Sequence, residues 1–318
     1  MEQFKIDIDS GLSAVPKTLP SKYFYDKIGD DLFVQIMDLP EYYLTRSELE
    51  IFTTQTQQII DALEVKPDTY FELIELGAGD GLKTKKLLEA LDKQHYKFDF
   101  FPVDISQNAL DTLEDRLKTE LPTISVKKKQ GDYFQILASL KNTHHPKVVL
   151  FLGSNMGNMT DATATDFIYE LSKNLCENDK LLLGVDLMKP ASIVLPAYND
   201  SAGITRQFNL NLLHRINQEL DGNFLVESFS HIPEYTEEEG IARSFLVSNS
   251  KQTVELKKLN KTFEFEKGEK IATEISRKYN DKIIQKIIQG ADFSITQKLT
   301  DSKEYFVNYI LTRGKNEG

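Results

Sequence analysis

One stretch, YFELIELGAGDGLKTKKLLEAL at positions 70–91, constrains the fold more than any other. It reads as a buried strand over 70–76, a glycine turn through Gly77, Gly79 and Gly81, and a helix carrying Leu87, Leu88 and Leu91 on one face. A strand that runs through such a turn into a helix leaves unpaired backbone N–H groups and a positive dipole end at the turn. Glycine also lets a ligand approach the backbone closely. The turn is therefore expected to hold a nucleotide-sized ligand.

The identity of that nucleotide depends on the spacing. A G-x-G-x-x-G dinucleotide fingerprint would place its third glycine at position 82, where Leu82 stands, which argues against a nicotinamide oxidoreductase. The glycines follow G-x-G-x-G with Glu75 at the strand end, and this resembles the first motif of S-adenosylmethionine-dependent methyltransferases. The next expected strand, 98–103, ends on Asp104, a carboxylate positioned to accept both hydroxyls of an adenosine ribose. A third short strand over 125–128 leads to Gly131-Asp132-Tyr133, where such enzymes hold the adenine amino group.

Beyond this centre the pattern has two styles. From 70 to 186 strands and helices alternate, with further strands over 147–152 and 180–186. That is the signature of a parallel sheet covered on both faces. Ligands in such sheets sit outside the carboxyl ends of the strands, so the loops Gly153-Ser154-Asn155-Met156-Gly157-Asn158 and Met188-Lys189-Pro190 should line the site. Asn158 is expected there either as a helix N-cap or as a substrate contact.

After Pro190 the alternation lapses into one helix, 204–220, and short strands over 224–230, 242–248, 252–256 and 261–266. A helix over 280–288 and a hairpin of strands 291–299 and 305–312 then close the sheet. Upstream, apolar residues at helical spacing follow Pro20, and a single helix is expected over 46–63. The fold class is α/β: a Rossmann-like methyltransferase domain over 48–187 and 279–318, with a second, α+β, substrate-binding domain over 1–47 and 188–278. The terminal GKNEG is expected to fray.

Composition narrows the partners. A formal net charge of −11 is unsuited to a phosphate-binding surface, so nucleic acid is not expected. The single cysteine, Cys176, excludes an internal disulfide and suits a reducing cytoplasm; it is expected as a small core residue on a helix over 164–175. No apolar run reaches the length of a membrane span. The sequence leaves the oligomeric state open, a monomer included.

Several stretches resemble one family, the L-histidine Nα-methyltransferases that form trimethylhistidine for ergothioneine biosynthesis: LPSKYFYDKIGDDLF, LPEYYLTRSE, ELGAGDGLKT, FLGSNMGN, LLLGVDLMK, AYNDSAGITRQFN and TEIS. The glycine turn is shared widely, whereas LPEYYLTR, AYNDSAG and TEIS are far more specific. The resemblance implies that Gly77, Lys83, Asp104, Asp132 and Tyr133 hold S-adenosyl-L-methionine. It further implies that Tyr42, Asn158, Tyr198, Glu274 and Ser276 hold the amino acid, with Tyr25 close by and the Tyr25 and Tyr42 hydroxyls as proton acceptors. The implied reaction needs no metal. Lys83 also has a physical rationale, because a cation in a first helical turn opposes the dipole and needs a countercharge, which the methionine carboxylate of the cofactor would supply.

Glu274 and Ser276 lie two apart on an extended segment and so face one side, where both could meet an imidazole. Ser244 departs from the family's pattern, which carries methionine beside the imidazole, and its smaller side chain enlarges that end of the pocket. Tryptophan or a modified histidine is the rival substrate, and tryptophan ranks below histidine because an indole offers a carboxylate at most one donor. A non-catalytic nucleotide-binding module is the rival from another class.

Overall fold

Phe71–Leu76 is buried at every position, and so are Lys147–Phe151 and Lys180–Asp186. Only a sheet covered on both faces accommodates such runs. The structure is a computed structural model that describes residues 2–141, 143 and 145–315; residues 316–318 of the expected frayed tail lie outside the described residues. In chain order the strands are β1 (Lys17–Thr18), β2 (Phe71–Leu76), β3 (Phe98–Asp104), β4 (Ser125–Val126), β5 (Lys129–Gln130), β6 (Lys147–Phe151), β7 (Lys180–Asp186), β8 (Phe229–Thr236), β9 (Ile241–Ser248), β10 (Gln252–Leu256), β11 (Lys261–Phe265), β12 (Lys270–Arg277), β13 (Phe293–Thr300) and β14 (Phe306–Arg313). The helices are α1 (Glu2–Ser13), α2 (Lys27–Asp38), α3 (Tyr43–Thr54), α4 (Thr56–Leu63), α5 (Leu82–Lys93), α6 (Gln107–Glu120), α7 (Tyr133–Leu140), α8 (Asp161–Ser172), α9 (Ala191–Val194), α10 (Ile204–Leu220) and α11 (Asp281–Ile288).

The chain forms two units, one of residues 1–43 and 189–277 and one of residues 44–188 and 278–318. The second unit holds an eight-stranded sheet in the order β13-β14-β7-β6-β2-β3-β4, with β5 also paired to β3. Strands β2 to β7 run parallel, and the β13–β14 hairpin joins β7 antiparallel. Alternation along each strand feeds two cores. Ile74, Leu76, Leu181, Leu183 and Val185 pack with α8 and α11 on one face, while Phe71, Leu73 and Leu182 pack with α3, α4 and α5 on the other. The order reverses at β2, flanked by β3 and β6, so a crevice opens beyond its carboxyl end. This is a Rossmann-like α/β domain.

The first unit holds a four-stranded sheet, β1-β12-β9-β8, and a separate β10–β11 hairpin. Its core gathers Ile8 and Leu12 of α1, Phe208, Leu212 and Ile216 of α10, and Leu246 and Ile271 of the sheet. A bulge in β12 between Ala272 and Glu274 resets the register, so that Glu274 pairs with Ser244 and Ser276 with Ala242. The extra residue, Thr273, is buried, and its single hydroxyl proton is shared between Asn209 Oδ1 and the Ser244 carbonyl, 3.1 and 3.0 Å away.

Several expected elements are corrected. The helix expected over 46–63 is two helices, because Gln55 leaves helical geometry (φ −126°, ψ 22°) and its side chain donates to the Thr300 carbonyl. The strand expected from 224 begins at Phe229: the Asn217 side chain grips both the N–H and the C=O of Phe224, and Val226–Ser228 turns as a short 3-10 helix. The strand over 125–128 is split into β4 and β5. Cys176 is exposed and lies past the end of α8. Its N–H donates to Asp179.

Candidate functional site

The second unit assembles its site at the β2 tip. Gly77, Gly79 and Gly81 have φ of 71°, 52° and 59°, a region that side chains rarely enter. A Cβ on Gly77 would stand 2.8 Å from the Tyr133 hydroxyl and 3.2 Å from Asn155 Nδ2, so these two side chains crowd the turn. Asp104 ends β3 and stays partly exposed. Its Oδ1 accepts from the Ser106 N–H at 2.9 Å, and its Oδ2 stands 3.5 Å from the Gly79 N–H. Burial, followed by the charges of Asp104 and Asp132, pushes the Tyr133 phenol up to about 12. Asp132 itself is exposed and caps α7, accepting from the N–H groups of Phe134 and Gln135. That use was not expected for it.

Lys83, in the first turn of α5, has its countercharge within the chain: Glu48, with which it forms an ion pair at 2.5 Å. The sequence reading gave that part to a cofactor carboxylate alone. The ammonium has three donors, so a ligand carboxylate can join Glu48 on it. Beneath the turn, Glu75 is buried and accepts from Thr84 Oγ1 at 2.6 Å. Burial is the largest reason its carboxyl is raised to about 8; Glu48 and Asp80 add to the shift, while Thr84 and Lys83 oppose it.

Asn158 ends the short 3-10 turn Asn155–Asn158 and is exposed. It is not a helix N-cap, because Thr160 caps α8. Asn155 and Glu48 were missed by the sequence reading. The GSNMGN loop marked the neighbourhood of Asn155, and Glu48 closes the LPEYYLTRSE stretch, but neither residue was given a role.

The first unit brings together most of the remaining candidates. The Tyr198 hydroxyl donates to Ser276 Oγ at 2.7 Å, and Ser244 Oγ donates to Glu274 Oε2 at 3.3 Å. Tyr25 meets Phe33 and Phe208 edge-on, and Phe33 in turn meets Tyr42 at 6.3 Å between centroids. Although 45% of Tyr25 is exposed, its phenol is raised well above its ordinary value, by desolvation first and then by Glu274, Asp30 and Tyr198. It is therefore a neutral hydroxyl at physiological pH. Among the described residues no group of three or more His, Cys, Asp or Glu is placed to hold a metal ion, and no helix is long and apolar enough to cross a membrane.

A parallel sheet closed by an antiparallel hairpin, with a glycine turn after one strand and an acid after the next, defines a Rossmann-like methyltransferase domain. The chain belongs to the family described as histidine-specific methyltransferase, SAM-dependent, whose profile it matches over residues 4–313. It is 35% identical over 300 residues to the histidine N-alpha-methyltransferase of Mycolicibacterium smegmatis, covering 94% of this chain and 92% of that protein. It is likewise 35% identical to the histidine N-alpha-methyltransferase of Mycobacterium tuberculosis, covering 87% of this chain and 85% of that one. It is 30% identical to ergothioneine biosynthesis protein 1 of Schizosaccharomyces pombe, covering 93% of this chain but 39% of that longer protein. The chain is a methyltransferase enzyme with S-adenosylmethionine as cofactor.

The residues present fit that cofactor. The left-handed glycines keep a cradle open that a Cβ at Gly77 would close, and the partly exposed Asp104 carboxylate and the Lys83 ammonium match its ribose and carboxylate groups.

Proposed function

We propose that the enzyme methylates the α-amino group of L-histidine, carrying it to the trimethylated betaine. The observation that carries this reading is the match to the histidine-specific family over residues 4–313. Gly77, Lys83, Asp104, Asp132 and Tyr133 hold the cofactor: Asp104 the ribose, Lys83 the methionine carboxylate, and the Asp132-Tyr133 step the adenine. When bound, S-adenosylmethionine supplies a methyl on a sulfonium, to which the neutral α-amine is the nucleophile.

The unit of residues 1–43 and 189–277 is the substrate-binding domain. Glu274 accepts from an imidazole N–H, and Ser276, oriented by the Tyr198 hydroxyl, meets the other ring nitrogen. Tyr198 and Tyr42 orient the amino and carboxylate groups, and the part of Asn158 in holding them rests on the resemblance alone. Only the neutral α-amine has a lone pair to react, and the neighbouring sulfonium cation lowers the pKa at which the amine loses its proton. Tyr25 offers a neutral hydroxyl for that proton's hydrogen bond, with Tyr42 as its neighbour across Phe33.

Ser244 sets the rival reading. Its small side chain, 1% exposed, spends its hydroxyl on Glu274. Calorimetry with a panel of amino acids in the presence of adenosylhomocysteine separates the two. Histidine is expected to bind more tightly than tryptophan, and a preference for an indole would refute the assignment.

A further inference from the structure

A buried carboxylate to which neither the sequence nor the family assignment gives a role, the last residue of the LPEYYLTRSE stretch, stands beside the cofactor turn. Glu48, on α3, is 0% exposed. Its Oε2 accepts from Lys83 Nζ at 2.5 Å and from the Gly153 N–H at 2.9 Å. Its Oε1 has no hydrogen-bond partner among the described residues. On the same side, Gly184 of β7 is paired with Asn308 of β14. A Cβ on Gly184 would stand 2.1 Å from Glu48 Oε1 and 2.7 Å from Asn308 Oδ1. Asn308 is also 0% exposed, and neither end of its carboxamide has a partner. A half-turn of that carboxamide exchanges its oxygen for its N–H2 group and presents a donor toward the free carboxylate oxygen.

We propose that Glu48 is the positioning residue of the cofactor site: a carboxylate held by Lys83, the Gly153 N–H and the Asn308 amide that fixes the Lys83 ammonium at the tips of β2 and β6. Three features support this. A cation in the first turn of α5 is repelled by the helix dipole, and Glu48 is what keeps it there. The Gly153-Ser154 turn that Glu48 grips is tied to β7 as well, through Ser154 N–H to the Gly184 carbonyl and Asp186 N–H to Ser154 Oγ. Finally, β7 carries a glycine at a point where a side chain would collide with the carboxylate, and glycine inside a strand is otherwise unfavourable.

The inference rests on the reading that Lys83 holds the cofactor carboxylate, and the test separates the two. Adenosylhomocysteine is titrated calorimetrically into the full chain and into Glu48→Gln, Lys83→Met and the double variant, with thermal unfolding recorded for each. Glu48→Gln is expected to weaken binding by about tenfold, the scale of one misplaced charge-assisted hydrogen bond. The double variant should bind no worse than Lys83→Met, because Glu48 acts through Lys83. Unchanged or tighter binding by Glu48→Gln, or additive losses, would overturn the role of Glu48 while leaving that of Lys83. Full affinity in Lys83→Met would remove the cofactor assignment of Lys83, and this inference with it. If Glu48→Gln does not fold, Asn308→Ala carries the same test: weaker adenosylhomocysteine binding is expected, and unaltered affinity contradicts the proposal.

Discussion

Replacing Glu75 by Gln should make the protein more stable, and by an amount that depends on pH. Glu75 is 3% exposed, and its carboxyl sits at about 8 against an ordinary 4.5. Between those values the folded chain keeps a proton that the unfolded chain has released, so the unfolding free energy falls as pH rises. The stability this group allows is complete below 4.5 and is lost progressively until pH passes about 8, above which both forms are ionised. By pH 7 the loss amounts to about 3 kcal/mol, at roughly 1.4 kcal/mol per pH unit.

Glutamine keeps the Oε1 acceptor for Thr84 and cannot ionise. Its amide nitrogen takes the place of Oε2, which has no partner, and this adds a constant offset that does not vary with pH. The diagnostic is therefore the slope. Urea unfolding of both proteins from pH 5 to 9 should show the variant's advantage growing by about 1 kcal/mol per pH unit up to pH 8 and then levelling. A difference between the two proteins that is flat across that range would refute the reasoning.

Three substitutions test the rest of the site. Glu274→Ala should raise the histidine KM by about tenfold with adenosylhomocysteine affinity nearly unchanged; loss of cofactor binding would contradict its assignment to the substrate. Asp104→Ala should do the reverse, weakening adenosylhomocysteine by about tenfold while the circular dichroism spectrum is kept, and unchanged affinity would misplace the ribose. Gly184→Ala forces a Cβ to within 2.1 Å of Glu48 Oε1 and should cost about 1–3 kcal/mol in chemical denaturation. An unshifted midpoint would show that the carboxylate has room to move.

The sequence made legible what is local and periodic. The helix over 204–220 and the strands over 180–186 and 252–256 occur with the expected bounds, because an amphipathic or wholly apolar run leaves little choice. The glycine turn was legible because G-x-G-x-G has few backbone solutions. Less legible was anything set by packing between distant segments. α1 was not anticipated; in the structure a Cβ on its Gly11 would stand 2.2 Å from the Thr18 carbonyl oxygen, so the glycine admits that strand.

Glu48 closes the LPEYYLTRSE stretch, yet its task is not readable until α3 is laid against β7. Asn155, which stands beside the Gly77 turn, follows Ser154 in a left-handed conformation, φ 57°, that has no local signature. The bulge at Thr273 likewise has no local signature, yet it sets Glu274 opposite Ser244.

Mass spectrometry of the product formed from L-histidine and S-adenosylmethionine tests the central claim most directly. The expected product carries three added methyl groups, all located on the α-nitrogen by fragmentation. No gain in mass, or methyl groups on the imidazole ring, would contradict it.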